Sequence, residues 1–295
     1  MRSKICLILF ALFAFSCSSD SSSDDGNNNN GGNNNNGGNN NTGNALLVSE
    51  ILVDQGQSGS MNFNYDGNKL TYISSNDFGS NELLTFIYTN NKISRIDRSY
   101  DTSQGIYSRW NFSYDNQNRL SYYEHCYYGS NNDNECVWLD TFSFTYSSNN
   151  TVTQNYVYEV GSDYEDAGTF TLQLDNNGNI IGGSDSYEDV DDNGNSITVS
   201  VDASFEYDNF NSPFKNITGM NAFIVLDVIC RNESVYLLGF NAFNNCISRN
   251  FQYSDEEESY TDTYAYDYND DNYPRQIIVS EENSSYEETY DISYY

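Results

Sequence analysis

The residues whose types and spacing could do chemistry in this chain are few. Asp189-Val190-Asp191-Asp192-Asn193-Gly194 satisfies D-x-D-x-N-G, the front half of a calcium loop. Asp189, Asp191 and Asn193 would present oxygens to a hard cation, so calcium is a possible ligand. The bidentate acid due eleven residues on is instead Ser200, and the segment runs directly into strongly alternating sequence. A polar hairpin turn therefore competes with the metal loop. Cys126, Cys136, Cys230 and Cys246 form an even set, which in an oxidising compartment reads as two disulfides. Of the three connectivities, the local one (Cys126 with Cys136, Cys230 with Cys246) is favoured, because each pair brackets a turn-rich segment. His125 abuts Cys126, but without a C-x-x-C spacing a zinc site is the weaker reading.

Tyrosine is the conspicuous excess. Tyr122, Tyr123, Tyr127 and Tyr128 crowd the first cysteine pair, with Trp110 and Trp138 near in sequence. Aromatic faces stack on sugar rings and make amphipathic contact surfaces, so these six are candidate ligand-binding residues. The competing reading is that tyrosine substitutes for aliphatics in a β core. His125, the only histidine, reads as a loop residue. No serine or cysteine stands in a nucleophile elbow or a phosphate-cradling loop, so no enzyme is expected. A pair of carboxylates suffices for glycoside hydrolysis, and 43 acids leave that as the alternative. The run Asp255-Glu256-Glu257-Glu258 reads as a solvated face.

The elements that must position these residues recur along the chain. Strands carrying Phe-x-Tyr end at Phe63-Asn64-Tyr65-Asp66, Phe86-Ile87-Tyr88-Thr89, Phe112-Ser113-Tyr114-Asp115, Phe144-Thr145-Tyr146-Ser147 and Phe205-Glu206-Tyr207-Asp208. Each turn leaves through Asn, a basic or small residue, an aliphatic, then Ser or Thr, as in Asn68-Lys69-Leu70-Thr71, Asn91-Lys92-Ile93-Ser94 and Asn118-Arg119-Leu120-Ser121. Phe-x-Tyr puts two aromatics on one face of a strand, and the aliphatic after the turn resumes that face. The strongest alternation is Ile197, Val199, Val201, Ala203, Phe205 and Tyr207 against Thr198, Ser200, Asp202, Ser204, Glu206 and Asp208. That is a half-buried antiparallel strand. No segment holds a 3.6-residue period. The fold class expected is all-β: an antiparallel meander of repeated hairpins, roughly 14–18 strands by this spacing, forming a barrel-like or strongly curved sheet.

Composition narrows the function. Twelve Lys and Arg against 43 Asp and Glu give a net charge of -31, which excludes a nucleic-acid binder for want of a basic face. Sixteen per cent aromatics argue against wholesale disorder.

The N-terminus reads as an address. Met1-Arg2-Ser3-Lys4 is basic and Ile5 to Phe15 apolar, which makes residues 1–16 a signal peptide. Ala14-Phe15-Ser16-Cys17 resembles a bacterial lipobox, which implies lipidation at Cys17. Residues 18–44 hold only Ser, Asp, Asn, Gly and one Thr, so 17–44 reads as a lipidated cysteine and flexible tether with a reach of roughly 30 Å. Asp20, Asp24 and Asp25 resemble the export signal that routes Bacteroidota lipoproteins to the outer leaflet. The expected location is the outer membrane, lipid-anchored and facing the exterior, with the anchor as the only membrane contact. Residues 45–295 read as a single domain. Their hairpin unit resembles the Tyr-Asp (YD/RHS-like) repeats of bacterial surface proteins, and more closely Bacteroidota lipoproteins of unknown function with a porin-like domain. The resemblance implies hairpins curling into a barrel, and no catalytic residue. The function expected is a non-enzymatic binding or scaffold module whose partner is a glycan or an envelope protein.

Overall fold

The computed structural model describes residues 46–54, 58–76, 81–100, 105–128, 135–147, 149–160, 162, 166–220 except 191–194, 243–254, 259–281 and 287–295. The strands are β1 (Val48–Asp54), β2 (Ser58–Asp66), β3 (Lys69–Ser75), β4 (Glu82–Thr89), β5 (Lys92–Ser99), β6 (Ser108–Tyr114), β7 (Leu120–Tyr127) and β8 (Trp138–Tyr146). They continue as β9 (Thr151–Tyr158), β10 (Asp166–Leu174), β11 (Ile180–Val190), β12 (Ser196–Tyr207), β13 (Cys246–Tyr253), β14 (Ser259–Tyr268), β15 (Pro274–Glu281) and β16 (Glu287–Tyr294). Each pairs antiparallel with its sequence neighbours, and β1 pairs with β16, Val53 opposite Tyr290, to close a barrel. The all-β meander expected from the sequence is the fold, and closure leaves the sheet without an edge.

The alternation of β12 shows which way the wall faces. Val199, Val201, Ala203 and Phe205 are buried, while Thr198, Ser200, Asp202, Ser204 and Glu206 are exposed. In a single-layer barrel the buried face is the inside. The same holds on β16, where Tyr290 and Ile292 are buried and Asp291 and Ser293 lie outward. A membrane-spanning barrel has the opposite arrangement, apolar outside and polar within. Ile51, Leu70, Ile73, Ile93, Ile96, Trp110, Phe142 and Leu172 are fully buried although they come from separate parts of the wall. A round barrel of this many strands encloses a lumen wide enough for water. Burial this complete means that side chains, not water, fill the interior at these levels.

One end of the barrel holds the tight hairpins, and there the repeated sequence unit acquires a structural meaning. Asn90 and Asn91 take φ of 52° and 60° in the β4–β5 turn, and Asn118, Asn150 and Asn272 take similar left-handed values at equivalent places. Asparagine thus fills the backbone role that glycine fills in most such turns. In the first three of these hairpins the Ser or Thr after the aliphatic is the extra residue of a β-bulge. Tyr65 faces Leu70 and Asn64 faces Tyr72, so Thr71 is left unopposed, and its hydroxyl donates to the Asn64 carbonyl at 2.8 Å. Ser94 and Ser121 repeat the device, donating to Ile87 and Ser113. Bulges at most of the hairpin bases sharpen the twist needed for closure. The basic residue of the unit covers the tyrosine of the next one: Lys69 lies over Tyr88, Lys92 over Tyr114 and Arg119 over Tyr146, the last at 4.2 Å.

The same end is stoppered by the segment that follows β12. Phe214, Ile217 and Met220 are buried, with the Phe214 ring 5.9 Å from Phe63. Thr218 N–H donates to Asn68 O, Asn211 N–H to Asn272 O, and the Asn216 amide to Leu46 O, so three separate parts of that end are tied together. Gly219, at φ +81°, sits where a Cβ would come 3.1 Å from Asn91 O, which is how the stopper seats against the β4–β5 turn.

His125 is not the loop residue that its place beside a cysteine predicts. β7 runs on to Tyr127, and its period of two turns His125 inward, opposite Trp110 and Asp140. Its side chain is buried.

Candidate functional site

Toward the other end, the longer connections between hairpins, the interior changes character. Ser75, Ser108, His125, Asp140 and Glu288 are buried polar residues on the wall. Each of the acids has its own partner: Tyr290 donates to Glu288 at 2.5 Å, and His125 faces Asp140. Arg98 and Tyr107 both bond Glu82, the Arg98 Nε at 3.1 Å and the phenol at 2.9 Å. Burial raises the Tyr107 phenol pKa; the Arg98 charge lowers it and Glu82 adds to the rise.

Above this polar layer, aromatics line the rim over β5 to β8. Tyr100 stacks on Tyr107 with centroids 4.3 Å apart, Tyr107 meets Tyr127 edge-on at 6.3 Å, and Tyr127 stacks on Trp138 at 5.3 Å. Local backbone fixes the row. Tyr107 N–H donates to Arg98 O, Tyr128 N–H to Tyr107 O and Val137 N–H to Tyr127 O. Trp138 is 52% exposed and Tyr100 44%, unusual for side chains of this size. Cys126 and Cys136 are joined, Cα to Cα 5.5 Å, and clamp the strand end beneath Tyr127 to the start of the next strand. Arg109 lies 5.7 Å from the Tyr128 ring and bonds Asp97, so Tyr128 belongs to an outer-wall cluster beside the rim.

The structure thus divides the six aromatics singled out in the sequence. Tyr127 and Trp138 form the rim and Tyr128 flanks it. Tyr122 lies on the outer face, where Ser113 and Ser143 are its cross-strand neighbours. Trp110 and Tyr123 are core: Tyr123 stacks on Phe142 at 4.2 Å and Trp110 has no exposed surface. Their period-two positions put them one or two layers below the rim, so neither belongs to its exposed row. Tyr100 and Tyr107, which complete the row, were missed, because they lie a full hairpin away from the cysteine pair in sequence.

Sequence reasoning also missed a constellation of three residues one layer beneath the rim. Ser108 Oγ lies 2.6 Å from His125 Nε2, and His125 Nδ1 lies 3.3 Å from Asp140 Oδ2. The other Asp140 oxygen accepts from the Glu159 N–H at 3.0 Å. The Trp110 ring lies flat on the imidazole, with centroids 4.3 Å apart and planes 6° from parallel. The three polar residues sit on three consecutive strands, spaced 17 and 15 residues apart, so only the register of β6, β7 and β8 reveals them.

The remaining candidates are not gathered here. Asp189 lies near the end of β11, while Asp191 and Asn193 fall outside the described residues, as do Cys230 and Asp255 to Glu258. Cys246 is buried at the turn end and joined to no described cysteine; burial pushes its thiol up to about 12. Among the described residues no group of three or more His, Cys, Asp or Glu is placed to hold a metal ion.

A closed, filled, antiparallel barrel with one stoppered end and one aromatic rim is the class of protein that fold and site define. It is similar to a porin-like protein from Bacteroides vulgatus, with a TM-score of 0.55 at 13% identity over 85% of this chain and 99% of that one. A porin-like protein from Bacteroides uniformis gives a TM-score of 0.38 at 10% identity, over 84% and 98%. The likeness to the first is one of fold. No protein-family model and no curated protein matches the chain.

Proposed function

We propose that this chain is a lipid-anchored binding module of the outer membrane, facing the exterior, whose aromatic rim takes up a glycan or a segment of an envelope protein. The observation that carries the reading is the row Tyr100, Tyr107, Tyr127 and Trp138, stacked in series and still exposed at its two ends. Exposed aromatic faces in a fixed row suit sugar rings, which present flat C–H surfaces. The polar outer wall supports attachment by a tether at Cys17 rather than by the strands themselves. Leu46, at the start of the described chain, is held at the stoppered end through the Asn216 amide. A tether rising from there leaves the rim pointing away from the lipid.

A glycan array with the wild-type protein and with Trp138→Ala, Tyr100→Ala tests the proposal. Signal on a defined set of glycans, lost in the double variant with the fold intact, is the expected result. Equal signal from both proteins would refute the rim as the site. Protease shaving of whole cells tests the outward orientation.

A further inference from the structure

The sequence gives no reason to expect an enzyme, since no nucleophile motif is present. Register nonetheless assembles the parts of one. We propose that Ser108, His125 and Asp140 form a serine-nucleophile relay that cleaves short acyl esters, with Ser108 as the nucleophile, His125 as its base and Asp140 as the positioning residue. This goes beyond the binding role of the rim and does not rest on it.

The geometry supplies each role. Ser108 Oγ is within hydrogen-bond reach of His125 Nε2, at 2.6 Å, which is what a nucleophile and its base require. Asp140 Oδ2 faces the other ring nitrogen. A carboxylate there holds the proton on Nδ1 and leaves the Nε2 lone pair free for the serine hydroxyl. Asp140 is itself fixed, because its second oxygen accepts from the Glu159 N–H. The imidazole cannot rotate out of line, since Trp110 lies flat against it. Trp110 also contributes an independent observation: its Nε1–H is fully buried and has no partner. An unused buried donor is costly, and this one is on a ring that stacks on the proposed base and stands two residues from Ser108 on the same face of β6; a donor in such a place can serve an oxyanion.

The reaction balances within these residues. Ser108 Oγ attacks the ester carbonyl carbon as its proton passes to His125 Nε2, and the carbonyl oxygen becomes the oxyanion, which we assign to the Trp110 N–H. The carbon–alkoxy bond breaks, and the departing alkoxide takes the proton from His125. Water then attacks acyl-Ser108, giving its proton to His125; the carboxylic acid leaves and Ser108 regains its proton. Size follows from burial. Ser108 and His125 are 2% and 4% exposed, and they are flanked by the cross-strand pair Tyr127 and Trp138, Tyr127 directly opposite Ser108. Those two rings have to swing aside for an acyl group to enter, so the substrates are acetyl or similarly short esters, and Trp138→Ala should open the way.

The test is labelling of the purified full chain with a small alkyl fluorophosphonate, which carries no sugar, followed by mass mapping. The expected adduct is on Ser108. It disappears in Ser108→Ala, forms faster in Trp138→Ala, and slows at least about a hundredfold in His125→Gln and Asp140→Asn. With p-nitrophenyl acetate, Asp140→Asn should lower kcat and leave KM unchanged, which loss of packing alone would not do. Far-ultraviolet circular dichroism checks that each variant is folded. Ser108→Ala and Asp140→Asn change so little volume that they keep the test available should His125→Gln misfold. Absence of a Ser108 adduct in both the wild type and Trp138→Ala overturns the proposal, and so does a labelling rate that Asp140→Asn leaves unchanged. Failure of the glycan array alone touches neither result.

Discussion

The Tyr114 hydroxyl donates to the Ile93 carbonyl at 2.7 Å, so a strand entering one hairpin is bonded to the strand leaving the hairpin before it. Tyr146 does the same to Leu120, Tyr266 to Cys246 and Tyr294 to Pro274. In each case the acceptor is the carbonyl of the residue that resumes the wall after the turn. At these four positions the tyrosine is therefore both an inward core ring and the rivet between neighbouring repeats. Phenylalanine would serve the first purpose and not the second. Tyr114→Phe should cost about 1 kcal/mol, the net worth of one buried hydrogen bond. Tyr114→Phe with Tyr294→Phe should cost about twice that, since the two sites share no partner. Urea unfolding midpoints of the two variants check both statements.

The buried tyrosines make the barrel sensitive to alkali. Burial raises the phenol pKa of Tyr65, Tyr88, Tyr114, Tyr146, Tyr266 and Tyr294 well above the usual value. In the unfolded chain these phenols ionise near 10, while the folded chain keeps their protons to higher pH. Stability is thus fully present below about pH 10 and falls as pH rises through the folded values, because the unfolded state then binds fewer protons. The slope is about 1.4 kcal/mol per pH unit for each fully buried phenol. We expect phenolate absorbance to rise in two stages, exposed tyrosines first and the rest together with loss of the β-sheet signal. A single gradual titration over a folded barrel would contradict the burial of this set.

Reduction should act locally. The bond between Cys126 and Cys136 closes a short loop directly under Tyr127 and Trp138. Closing a loop of that length is worth about 3 kcal/mol on the chain-entropy account. Cys126→Ser with Cys136→Ser should lower stability by that order. It should also quench the contrast between rim and core: Trp138 fluorescence shifts, while Trp110, held against His125, keeps its buried emission.

Local pattern carried much of the fold. The twelve residues from Ile197 to Asp208 alternate without exception, and the wall follows them. The motif Asn, basic residue, aliphatic, Ser or Thr was visible as a repeat, but its physics was not. Only the pairing shows that Thr71 is a bulge residue and that Lys69 covers a ring in the next unit. Closure was illegible for the same reason. Val53 meets Tyr290 across nearly the whole chain, and nothing in either neighbourhood announces the partner. The acid excess likewise has a place only once the wall is closed: it is the wet half of the strand pattern. Asp202, Glu206 and Asp291 simply face water from the outer wall. The site divides likewise. Trp138 and Tyr127 could be proposed because they adjoin a cysteine pair. Ser108, His125 and Asp140 could not, since each looks ordinary until three strands are set in register.

Which face of the wall meets solvent is open to a sharp test by neighbouring residues. Val201 is 2% exposed and lines the interior, opposite Tyr253; Asp202, next to it, is exposed. Val201→Asp places a carboxylate among packed side chains, with burial opposing its charge, and should cost at least about 3 kcal/mol or prevent folding. Asp202→Val removes one charge from a wet surface, strengthens strand propensity, and should change stability by no more than about 0.5 kcal/mol. In a barrel whose outer face met lipid the order would reverse, since an outward carboxylate there is the costly one and an inward one lines water. Thermal unfolding of both variants without detergent decides between these arrangements. A stable Val201→Asp protein beside a damaged Asp202→Val protein would show the wall turned inside out.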